Sequence, residues 1–116
     1  MDHLDGLKFV NWAMALFMLL TAALLGAWAS FTLFMTYDSV EPLELVISVL
    51  PQVVGVLLSI VLASSHWQVG YRIQWGHGRF LQTFLALVHL CNCPIGWAYA
   101  GYALWVCWIQ SPQEFE

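Results

Sequence analysis

The chain has 116 residues, of which 61% are hydrophobic, 16% aromatic and only 9% charged. Soluble domains run at about 45–50% apolar and about 25% charged, and a chain this short buries only about 60–70% of its surface on folding. With a mean hydropathy of +0.76, the composition excludes a soluble enzyme, a disordered segment and a disulfide scaffold, and points to a polytopic membrane protein.

Three Lys+Arg stand against seven Asp+Glu. That is too few cations for nucleic acid or for a polybasic lipid-binding segment. The N-terminus is net acidic (Asp2, His3, Asp5, Lys8), and the apolar run behind it, Val10 to Met35, covers 26 residues. A signal peptide needs a basic start and a shorter core, so this run is expected to be a span, although Ala27-Trp28-Ala29 mimics a cleavage site. The odd cysteine set, Cys91, Cys93 and Cys107, implies no disulfide framework.

The first helix is expected from about Phe9 to Tyr37. An acidic loop follows, with Glu41, Pro42 and Glu44 suited to the positive start of a second helix. That helix is expected to run from Leu45 to about Ser64, with a kink at Pro51. Ser65 to Arg79 reads as a polar break rich in Trp, Arg and Gly. A third apolar run, Phe80 to Leu90, is separated by a turn at Asn92 and Pro94 from a fourth, Ile95 to Ile109. The last two runs are short: the fourth rises about 22 Å as helix, against a hydrocarbon core of about 30 Å. They are either two short spans, the favoured reading, or a re-entrant hairpin. The fold expected is therefore all-α, a polytopic integral membrane protein with four transmembrane helices in a single domain over residues 1–116.

Lys8, Arg72 and Arg79 fall at the N-terminus and in the second loop, so both termini are expected in the cytoplasm. Trp12, Trp67, Arg72, Trp75, Arg79 and Trp108 serve as inner interface anchors, with Tyr37, Trp97 and Tyr99 in an outer aromatic belt.

Asn92-Cys93-Pro94-Ile95-Gly96, then Gly101-Tyr102-Ala103-Leu104-Trp105-Val106, then Ser111-Pro112, resemble the C-terminal hairpin of a group of small bacterial membrane proteins. Cys91 and Cys93 stand where that group usually has aliphatic or aromatic residues, and Ala100 where it often has glycine. The resemblance covers about 25 residues. It implies a four-helix membrane fold in the bacterial inner membrane and carries no activity with it.

The spans as read contain no Asp, Glu, Lys or Arg, which argues against a proton-coupled transporter. His89 is the titratable group that stands out within an apolar run. It either bonds a backbone carbonyl or Asn92 near the outer interface, or, with Cys91 and Cys93, ligates a haem, a soft metal or a pigment magnesium. The first of these is favoured, because its chain neighbours supply no side-chain acceptor. Gln52, Gln82 and Thr83 are the polar groups that would line a small channel. Small residues repeat at helical spacing in three rows: Ala22, Gly26 and Ser30; Gly55, Ser59 and Ala63; Gly96, Ala100 and Gly101. Such rows let helices approach closely, within the chain or against a partner.

The sequence thus favours a non-catalytic accessory or structural subunit of a respiratory or photosynthetic membrane complex, or of a homo-oligomer, surrounded by lipid. A pigment- or haem-binding subunit using His89 and a small channel or carrier are the alternatives.

Overall fold

The computed structural model describes residues 3–73, 75–91 and 94–110. The chain is all-α. Helix α1 is His3–Thr36, α2 is Pro42–Ile73, α3 is Arg79–His89 and α4 is Ile95–Leu104, which continues as a π-helical turn, Trp105–Gln110. Asn92 and Cys93, placed by the sequence in the last turn, lie outside the described residues, as do Ser111 and Pro112.

The helix boundaries follow from local chemistry. The carbonyl of Thr36 accepts bonds from the Ser39 and Val40 amides (3.0 and 3.2 Å), closing the end of α1. Pro42 opens α2 at the position where its missing N–H costs nothing, and the Leu45 amide bonds the Glu41 carbonyl at 3.0 Å. Pro51 lies inside α2, which is helical on both sides of it. The turn into α3 uses Gly76 and Gly78 at φ 76° and 90°, a region that L side chains rarely enter. There the Arg72 carbonyl accepts from the Trp75 and His77 amides.

One expectation is corrected. The second helix does not stop near Ser64 but runs on to Ile73, so most of the expected polar break is helix. Its inward positions, Ala63, His66, Val69 and Ile73, recur at helical spacing and are all buried. The third helix has the 11 residues expected of it, shifted by one position, and rises about 16 Å, half the hydrocarbon core.

The described chain divides into two compact units. One, residues 16–63, is the hairpin of α1 and α2. Met18, Ala22 and Ala29 of α1 and Val49, Ser59 and Ala63 of α2 are its buried positions. A Cβ on Gly55 would come within 2.9 Å of the Leu25 Cδ1 atom, and one on Gly26 within 4.0 Å of Val56. Ser30 does not join this seam: it is exposed and bonds back to the Gly26 carbonyl at 2.9 Å. Outward, the unit shows Leu20, Leu24, Phe31, Phe34, Ile47, Leu57, Leu58 and Val61, all more than half exposed. Both α1 and α2 are long and apolar enough to cross a membrane, and only 11% of the most apolar 18 residues of α2 are buried within the chain.

The other unit gathers the start of α1, the end of α2, α3 and α4. Two glycines admit aromatic rings there. A Cβ on Gly70 would stand 2.6 Å from the Trp12 indole and 3.3 Å from the Lys8 carbonyl, and one on Gly6 would stand 2.6 Å from the Tyr102 hydroxyl. Gly96 and Ala100 of α4 are buried, whereas Gly101 faces open space.

Candidate functional site

The second unit encloses a knot of polar side chains drawn from all four helices. Asn11, His66, Gln82, His89 and Tyr99 are between 0% and 4% exposed. Leaving any one of these buried groups without a partner would cost about 1–3 kcal/mol. Their placement follows from helical periodicity. Asn11 lies four residues after Leu7 on the inward face of α1, and both are fully buried. His66 is on the inward stripe of α2. Gln82, Leu85, Ala86 and His89 form the buried face of α3, spaced three and four apart. Tyr99 sits with Gly96, Ala100 and Ala103 on the buried face of α4.

The bonding pattern fixes where the protons are. Asn11 Nδ2 donates to the Leu7 carbonyl (3.0 Å) and to Gln82 Oε1 (2.5 Å). Asn11 Oδ1 is therefore an acceptor, and it receives the Tyr99 hydroxyl and the His66 Nδ1–H, each at 2.9 Å. A neutral imidazole that donates through Nδ1 has a bare Nε2. His89 must then donate its Nε2–H to His66 Nε2, across 2.7 Å. Gln82 Nε2 donates to the Tyr99 oxygen at 2.5 Å. Tyr99 also packs edge-on against both imidazoles, with centroids 5.1 and 5.2 Å away. Each donor atom in this chain of bonds meets at least one acceptor.

This arrangement corrects the expected setting of His89. The ring is buried against His66, a residue expected in the polar break, rather than bonded to backbone. Tyr99, expected in the outer aromatic belt, is likewise inside the knot. Asn11 is one of several uncharged polar residues in a long apolar run, and nothing in the sequence singles it out. Helical spacing was the signal that would have found His66.

A metal ion does not fit between the imidazoles as they stand. Two bonds of about 2.0–2.1 Å at a tetrahedral angle set the nitrogens about 3.3 Å apart, and the pair is closer than that at 2.7 Å. A haem iron or pigment magnesium on His89 Nε2 requires the pair to separate first. Cys91 is exposed, while His89 is buried and bonded to His66. Among the described residues no group of three or more His, Cys, Asp and Glu gathers as a ligand set.

The channel-lining expectation also separates. Gln82 belongs to the knot. Thr83 donates to the Arg79 carbonyl and accepts from Trp108 Nε1, both at 2.9 Å. Gln52 belongs to the hairpin unit, where its Oε1 is buried with no hydrogen-bond partner among the described residues.

The expected interface anchors pair with cations and with one another. Trp12 stacks on Trp67 at 5.2 Å, and Lys8 Nζ lies 5.0 Å from the Trp12 ring. Arg79 lies over Trp108 at 4.7 Å. Trp97 Nε1 donates to the Leu90 carbonyl at 2.7 Å, bracing the turn between α3 and α4. Trp75, in the turn before α3, is exposed. No family model, curated protein or solved structure matches the chain.

Proposed function

We propose that the chain is an integral protein of the bacterial inner membrane and a non-catalytic subunit of a larger membrane assembly, either with other proteins or with copies of itself. The observation that carries this reading is the apolar hairpin, in which only 11% of the most apolar stretch of α2 is buried. At about 25 cal/mol per Å² of apolar surface, such a face is costly in water and is covered by lipid or neighbouring subunits. The knot supports the non-catalytic part of the reading. Its groups are bonded to one another, so they act as a structural lock between four helices rather than as a site offered to a substrate. The resemblance of the Asn92–Gly96 and Gly101–Val106 segments to small bacterial membrane proteins supports the compartment.

In this reading α1 and α2 cross the membrane. The α3–α4 hairpin is re-entrant and replaces the two short crossings expected from the sequence. The 16 Å rise of α3 and the meeting of His89 with His66, seven residues before the end of α2, both favour a hairpin of partial depth. Both termini lie in the cytoplasm with Lys8, Arg72 and Arg79, as the positive-inside rule requires. Mild-detergent purification tests the assembly: partners or further copies should accompany the chain.

A further inference from the structure

We propose that a recess on α2 lined by Trp67, Gln68, Tyr71 and Arg72 holds the headgroup of one anionic phospholipid, a site that rests on the membrane reading above. The recess is open to one side and offers about 400 Å³. Its four lining residues form two stripes at i, i+4 spacing: Trp67 with Tyr71, and Gln68 with Arg72. The first stripe is aromatic, 56% and 62% exposed, and suits the glycerol and upper acyl region. The second offers an amide and a guanidinium, whose planar fork binds two phosphodiester oxygens at once.

The walls are held in place. Trp67 is stacked on Trp12, and the bare Cα of Gly70 makes room for the Trp12 indole edge. The Arg72 carbonyl is fixed by two amides of the following turn.

Charge decides the headgroup. All the lysine and arginine of the chain, Lys8, Arg72 and Arg79, belongs to this one unit. Lys8 rests over the Trp12 that backs Trp67, and Arg72 Cβ lies 3.7 Å from the Cβ position of Gly78, next to Arg79. The acidic residues of this unit, Asp2, Asp5, Glu114 and Glu116, fall near the two ends of the sequence, and Arg72 is the charged residue among the four that line the recess. A net negative phosphodiester is attracted there, whereas a choline headgroup brings a second cation.

The test uses the full chain in detergent, with native mass spectrometry against phosphatidylglycerol, phosphatidylcholine and soluble glycerol 3-phosphate. We expect phosphatidylglycerol to be retained about tenfold over phosphatidylcholine, a difference of about 1.4 kcal/mol, and glycerol 3-phosphate not to be retained. Arg72→Gln should abolish the preference, and Trp67→Ala should weaken retention of both lipids. Equal retention of the two lipids by the wild-type chain overturns the site. So does retention of glycerol 3-phosphate as strong as that of the lipid, or a preference that survives Arg72→Gln. Alkaline carbonate washing separates the two levels. A chain that resists the wash but shows no preference loses only the headgroup site, whereas one stripped from membranes loses the membrane reading with it.

Discussion

His66 and His89 share one hydrogen bond between their Nε2 atoms, 2.7 Å apart. The contact joins α2 to the last residue of α3, and Asn11 fixes its direction by holding His66 Nδ1–H. The short third helix therefore ends against a specific partner.

Removing one imidazole should strand its partner. His66→Leu leaves Asn11 Oδ1 and His89 Nε2–H each short of a bond, and we predict a loss of about 1–3 kcal/mol. His89→Leu should fall in the same range. The double variant should lose less than the sum, with a coupling of about 0.5–3 kcal/mol. Chemical unfolding in detergent reads all four corners of the cycle. Strict additivity would show that the two rings do not interact.

Glycine positions should separate sharply. Gly70→Ala places a methyl against the Trp12 indole and the Lys8 carbonyl, and should cost about 1–3 kcal/mol through overpacking. Gly55→Leu, facing Leu25, should cost a similar amount, with Gly26→Leu at the lower end of the range because its nearest neighbour is 4.0 Å away. Gly101→Ala meets open space and should be neutral or stabilising by about 0.5–1 kcal/mol through helix propensity. Thermal unfolding of the four variants checks the order, and an unstable Gly101→Ala would contradict the placement of that face.

Much of this architecture was legible in the residues. The long apolar runs, the Pro42 start and the turn at Pro94 follow from hydropathy and backbone chemistry. The end of α2 was not legible, because the many polar residues and glycines of Ser65 to Arg79 read as a break. What matters there is spacing: Ala63, His66, Val69 and Ile73 share one face. The knot was harder still. Its members lie at positions 11, 66, 82, 89 and 99, and polar residues so far apart in a chain announce a common site only after the helices have packed. His89 stands out, since it is titratable in an apolar run, and its partner His66 lies in a segment rich in polar residues where a histidine carries no signal.

Topology gives a further prediction. In a background without other cysteines, Ser39→Cys should label from outside the cell and Gln110→Cys only from inside. The native Cys91, at the turn after α3, should resist reagent from outside because the hairpin stops at partial depth. Labelling of Cys91 as readily as Ser39→Cys would restore two full crossings. Labelling of Ser39→Cys and Gln110→Cys from the same side would contradict the topology altogether.

The central claim is that this chain is one subunit of a membrane assembly, and molar mass after gentle extraction tests it most directly. The chain is 13.1 kDa. Light scattering of the affinity-purified material in mild detergent, corrected for bound detergent and lipid, should give a protein mass of at least twice that value, with the added mass identified as copies or partners. A protein mass of one chain, unchanged across several mild detergents and in native membranes after cross-linking, would contradict it.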